Sequence, residues 1–397
     1  MSQSAPPPPP PALLPSLHGM RFVAALLVFA FHGAIEFVFA DETVGNAFIW
    51  ASSGAAAAVS FFFVLSGFVL TWSRRPGERV RTFWRRRFLR ILPNHLVTFC
   101  IAVALLVLAG ESLGLPQTLS NLFLVQTWFP DNSFLESANG VSWSLSVDVA
   151  YYLSFPVIIV LVNKVRPDRL WGWVLGFIGL VVLMPTLSLT LLPSTPQWSW
   201  GGSASWVQIW FAYVFPPVRL LEMVIGMLLA RIVMTGRWIR LPLGAAVALV
   251  VVGYLAVLLG PWSFLYNYAA TMIVPIALLI PAAAVADIAG RRTLVGGRTL
   301  RWLGDLTFAF YLVHDLVLSG GHRLFGVQPG PYGGVTGPQW STPVAIAFLV
   351  AALGVSILLS WALFRLVERP VMRRFSGRTA PGPAPAPAPV AATPGGP

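Results

Sequence analysis

Charge is scarce in this chain. Aspartate, glutamate, lysine and arginine supply 10% of its 397 residues, against about 25% in soluble domains. So little charge cannot cover a water-facing surface, which excludes an ordinary soluble domain. Cysteine is nearly absent as well. The single Cys100 offers neither a disulfide framework nor a metal site. Lying in an apolar run, it is expected to be a small buried hydrophobe. Lysine occurs once, at Lys164, among 26 basic residues. With alanine, glycine and proline abundant, that arginine bias points to a GC-rich genome and hence a bacterium.

Apolar residues are what the chain has, at 56%. They fall in ten segments near the ~20 residues needed to cross a hydrocarbon core: 21–40, 55–73, 91–110, 142–163, 170–191, 206–230, 241–259, 264–286, 303–320 and 343–366. A shorter run, "LSNLFLVQTWF" (119–129), reads as interfacial or re-entrant. The expected fold class is therefore all-α: a polytopic membrane helical bundle of about ten transmembrane helices, with the lipid bilayer as its first partner. The working domain is expected over 16–376. Proline-rich tails at 1–15 ("APPPPPPALLP") and 377–397 have nothing with which to build a core, and the start lacks the pattern of a cleaved signal peptide.

The placement of charge tests this count independently. With the N-terminus inside, alternate loops and the C-terminal end collect 23 of the 26 basic residues, eight of them between 74 and 90. The opposite loops carry Asp41, Glu42, Glu111, Asp131 and Glu136, with Arg323 as their one basic residue. Positive charge gathers in cytoplasmic loops, so both termini are expected in the cytoplasm. Topology thus accounts for the net charge of +12, and nucleic acid is not needed as a partner.

Several ionisable residues nevertheless fall inside the apolar segments, where they are costly and face a cavity or a partner. His32 lies eleven residues beyond Arg21, roughly 16 Å along a helix. Glu36 is one turn further on the same face. Arg219 and Glu222 are spaced to pair with each other or to face a chamber. His314 sits beside Asp315, and Asp148 lies within "VSWSLSVDVAYYLSF". Four helices so placed imply a polar chamber inside the bundle. The cluster "RRPGERVRTFWRRRFLRILPNH" (74–95) is denser than orientation requires. Arg87 and Arg90, one turn apart at a membrane boundary, suit phosphate oxygens; anionic lipid is the alternative ligand. No metal site is expected. The same buried groups would also serve a transporter or proton-coupled carrier of a polar solute, although no internal repeat is evident.

These residues stand in motifs that resemble the acyltransferase 3 family of integral-membrane acyltransferases. "SLHGMRFVAALLVFAFH" is similar to that family's first helix, "FFFVLSGFVL" to its second, and "RRRFLRILP" to the basic start of its third. "WSLSVDVAYYLSFP", "VRLLEMVIGMLL", "GDLTFAFYLVHDLVL" and "RLVERPVMRR" follow in the family's order. The first motif is most similar to members that acylate macrolide-type antibiotics. Two positions depart: His18 stands where the family has aspartate, and Asp148 where it has glutamate. The resemblance implies acyl-CoA as co-substrate, with no permanently bound cofactor. It implies transfer of an acyl group, acetyl above all, to a hydroxyl of a sugar, polysaccharide or macrolide-type metabolite. It implies His32 as the reacting group with Asp148 in support, Arg21, Arg87 and Arg90 on the donor's phosphates, and a bacterial plasma membrane. An acid, Asp148 or Glu36, is expected to orient the His32 ring. An appended extracytoplasmic hydrolase-like domain, present in some members, is not expected.

Overall fold

A computed structural model describes residues 14–75, 77–112, 114–198, 203–260, 263–329 and 335–375. The tail expected at 1–15 lies outside these residues up to position 13, and the tail at 377–397, which includes Arg378 of the charge tally, lies wholly outside them.

Ten helices carry the architecture: α1 Pro15–Ile35, α2 Ala58–Trp72, α3 Val80–Leu108, α4 Trp143–Lys164, α5 Leu170–Leu191, α6 Pro216–Met234, α7 Leu243–Leu259, α8 Ile273–Ile288, α9 Arg298–Asp315 and α10 Thr342–Leu363. Among the described residues, seven helical segments are long and apolar enough to cross a membrane: those containing α1, α2, α3, α4, α5, α8 and α10. The rest fall short of that measure for physical reasons. Helix α7 is apolar but has 17 residues. Helix α6 carries Arg219, Glu222 and Arg231, and α9 carries Arg298, Arg301, Asp305 and Asp315.

Several boundaries differ from the sequence expectation. Pro15 sits in the first turn of α1, where its missing N–H costs nothing. Ser16 is tied there, its N–H and hydroxyl donating to the Asp287 carboxylate at 2.9 and 2.5 Å. The helix ends as Phe37 adopts a left-handed φ of 53°, rare for a bulky residue. The first span therefore runs over 15–35 rather than 21–40, and His32 lies in its last turn. The hydropathy of Val38–Ala40 had extended the expected span past a sharp turn. Helix α3 starts at Val80 rather than near 91, so the arginines from 81 to 90 are helical. The run expected as one span over 206–230 breaks before Pro216, because a residue preceding proline is held extended (Phe215, φ −62°, ψ 119°). Cys100 is exposed on the outer face of α3 beside Ile101, not buried as expected. A thiol is apolar enough for that position. The short segment after α3 forms a helix at Leu115–Leu122 and a turn at Gln126–Trp128, with Asn121, Gln126 and Thr127 buried.

The centre of the bundle is the contact of α2 with α6. It depends on two glycines. A methyl group at Gly67 would overlap the backbone carbonyl of Met223, and one at Gly226 would overlap that of Val64. Small residues of this kind let helix backbones approach closely in a membrane. Around this pair, α1 packs on α9 and α9 on α10. Gly226→Ala is expected to cost about 1–3 kcal/mol through overpacking, seen as a lower melting temperature of the detergent-solubilised protein. An unchanged melting temperature would mean that the two helices have room to separate.

Candidate active site

Five helices surround one cavity of about 160 Å³. Helical periodicity explains each contribution. From α4 come Ser144, Asp148 and Tyr152, one turn apart along one face. From α3 come Arg87, Arg90 and Ile91, and from α2 come Phe62, Ser66 and Val69. Helix α1 supplies Arg21, and α9 supplies Thr307 and Tyr311. Arg21, Arg87, Arg90 and Asp148 are thus brought together as the sequence suggested.

The three arginines are available to an anion. Among the described residues none of them forms an ion pair, whereas the neighbouring Arg86 is occupied by Glu78 at 2.5 Å. Arg87 is steadied by the Ser73 hydroxyl at 3.4 Å and by the Phe83 ring, 5.5 Å from its guanidinium carbon. Asp148 is the cavity's carboxyl group. Its Oδ1 is buried and accepts no hydrogen bond among the described residues, so it is free to receive an N–H or O–H from a ligand.

The histidines lie just beyond this cavity. Arg21 and His32, eleven residues apart, point about 20° from each other around α1. The Nδ1 of His32 is 2.7 Å from Nε2 of His314, and the two rings meet edge to edge, within 12° of parallel and with centroids 5.0 Å apart. The other nitrogen of His314, Nδ1, is 3.1 Å from the Phe310 carbonyl oxygen. His314 is fully buried, and the His32 side chain keeps 19% exposure. The Tyr311 ring is 5.7 Å from the His314 ring, and it also lines the cavity. Phe62 meets Tyr311 edge-on at 6.3 Å. Tyr311 therefore faces both the arginine cavity and the His314 ring, with Phe62 packed against it. Directly after His314 and Asp315, residues Leu316–Gly320 form a wide π-turn, a distortion frequent at functional sites.

Other expected members of the chamber lie elsewhere. Glu36 pairs with buried His322 at 3.2 Å and does not orient His32. Two further bonds hold this pair: Nε2 of His322 meets the Pro338 carbonyl at 2.8 Å, and the Thr336 hydroxyl donates to the Glu36 carbonyl at 2.9 Å. Asp148 also makes no bond to His32; the arginine cavity holds it instead. Arg219 and Glu222 bond each other at 3.0 Å, both 1% exposed, and neither lines the cavity. Sequence reasoning placed His314 in the chamber but did not see its bond to His32, and it missed Tyr152 and Tyr311. Spacing held a signal for both tyrosines. Tyr152 is one turn beyond Asp148, and Tyr311 is one turn before His314.

The family model described as "Acyltransferase domain", acyltransferase 3, matches residues 14–365. The chain is 41% identical over 373 residues to acyltransferase MdmB of Streptomyces mycarofaciens, covering 92% of this chain and 93% of that protein. It is 28% identical to the putative peptidoglycan O-acetyltransferase YrhL of Bacillus subtilis, over 77% of this chain and 48% of that protein. It is 24% identical to the peptidoglycan O-acetyltransferase OatA of Listeria monocytogenes, over 91% and 56% respectively. The chain thus spans about half the length of these two peptidoglycan relatives. No solved structure matches significantly.

Proposed function

Because the chain belongs to the acyltransferase 3 family, and is an enzyme rather than a carrier, we propose that it transfers an acyl group, acetyl above all, from acyl-CoA to a hydroxyl of a sugar, polysaccharide or macrolide-type metabolite. Three unpaired arginines meeting in one cavity, with a histidine on the same face of α1 three turns away, carry this assignment. Ten crossings with both ends in the cytoplasm, in a bacterial plasma membrane, make the arginine-rich end the donor's side. The alternation of charge between loops supports that orientation.

In this scheme Arg21, Arg87 and Arg90 hold the phosphates of the donor. The cavity is smaller than the roughly 300 Å³ of common ligand pockets. It therefore suits a slender pantetheine arm better than a nucleotide, which stays at the arginine-rich rim. The unpartnered Asp148 oxygen receives an amide N–H of that arm. The thioester passes Phe62 and Tyr311 and reaches His32. There a ring nitrogen of His32 takes the proton of the acceptor hydroxyl as its oxygen attacks the thioester carbonyl. The carbon–sulfur bond breaks, the thiolate takes the proton back from the imidazolium, and free CoA and the ester leave.

Arg90→Ala is expected to raise the donor KM roughly ten- to a hundredfold, the equivalent of a lost hydrogen bond to a charged group, and to leave the acceptor KM nearly unchanged. Steady-state kinetics in membrane vesicles decides it. An unchanged donor KM would assign the arginine to lipid headgroups or to orientation.

A further inference from the structure

The bond between His32 and His314 fixes more than their separation. Resting on the reading of His32 as the reacting base, we propose that His314 is the positioning residue of this enzyme: it holds the His32 proton on Nδ1 and leaves the Nε2 lone pair free for the acceptor hydroxyl.

The backbone sets the direction. A carbonyl oxygen only accepts, so Nδ1 of His314, 3.1 Å from the Phe310 oxygen, carries a proton. A neutral imidazole carries one proton on its two nitrogens. Nε2 of His314 is then a bare acceptor. The atom 2.7 Å from it, Nδ1 of His32, must donate. That leaves Nε2 of His32 without a proton, which is the state a general base needs. Asp315 is the obvious competitor for this task, since a carboxylate is the common partner of a catalytic imidazole. Its Oδ1 is 3.9 Å from His32 Nδ1, beyond hydrogen-bond reach. Glu36 is bound to His322. The orienting role therefore falls to a second, neutral ring. That ring is immobile: fully buried, stacked on Phe310 at 5.6 Å and flanked by Phe29 at 6.3 Å and Tyr311 at 5.7 Å.

The test compares His314→Gln, whose side-chain carbonyl can still accept from His32 Nδ1, with His314→Leu, which cannot. Acyl transfer is read as thiol release from acetyl-CoA in membrane vesicles supplied with a metabolite extract as acceptor. His314→Leu should lose about tenfold to a hundredfold in kcat, the scale seen when the partner that orients a metal-bound histidine is removed. Its donor KM should stay unchanged, and His314→Gln should recover most of the loss. Equal losses in the two variants would overturn the proposal. Independently of activity, nitrogen NMR of the full-length protein labelled in its imidazoles reads the tautomer. A proton on Nδ1 of His32, lost as a fixed state in His314→Leu, supports the proposal; a proton on Nε2 in the unmodified protein overturns it. If His32→Ala keeps full activity, the proposed function fails, yet the spectrum still decides the tautomer.

Discussion

Replacing His32 with alanine is expected to lower acyl transfer by about 10²–10⁴, the contribution of a positioned general base. Protein level and donor KM should stay near those of the parent. His32 supports little of the fold. Its side chain is 19% exposed, it occupies the last turn of α1, and the bond it gives up on replacement is the one to His314. The arginine cavity is formed without it. Loss of turnover with intact donor binding would separate chemistry from assembly. Turnover near that of the parent, at matched membrane levels, would remove His32 from the reaction.

The second large effect concerns stability. Glu222→Leu is expected to destabilise the protein by about 3–5 kcal/mol, because it leaves a buried guanidinium without its counter-ion. Arg219 donates to Glu222 at 3.0 Å and to the Ser60 hydroxyl at 3.1 Å, and Ser60 in turn donates to Glu222 at 3.1 Å. The guanidinium lies between the rings of Phe63 and Tyr213, 4.9 and 5.1 Å from their centroids. Tyr151 closes the group by donating to the Arg219 carbonyl at 2.6 Å. Removing both charges together, as Arg219→Met with Glu222→Leu, should recover most of the loss, since a buried pair is often neutral relative to apolar residues. The fraction of monodisperse protein remaining after heating in detergent measures this. A single variant as stable as the parent would place water beside the pair and return it to the polar chamber that the sequence suggested.

The sequence and the structure agree where chemistry follows from position along one helix. Arg87 and Arg90 share a face because they are three residues apart, and Arg21 and His32 because eleven residues make nearly three full turns. Hydropathy also located most helices, since a segment crossing a bilayer must be apolar throughout its length. What stayed hidden depends on register between distant helices. Nothing local in α1 indicates that His32 will meet a ring 282 positions away. Nor does it indicate that Glu36, one turn further, will be claimed by His322. The fate of Arg219 and Glu222 was ambiguous for the same reason. Their spacing allows a pair, but only the closure of Phe63, Ser60 and Tyr213 around them decides that the pair is sealed rather than open to the cavity. The end of α1 was missed because a turn made by Phe37, Val38 and Phe39 is as apolar as a helix.

In the proposed reaction an acyl group moves from a CoA thioester on the arginine-rich side to a hydroxyl at His32. Inverted membrane vesicles given radiolabelled acetyl-CoA and a metabolite extract test it most directly, with thiol release and label in the extract followed together by mass spectrometry and scintillation. Free CoA and an acetyl ester are expected in equal amounts, and both are expected to vanish in His32→Ala vesicles. Label that accumulates unesterified inside the vesicles, with no thiol released, would contradict it.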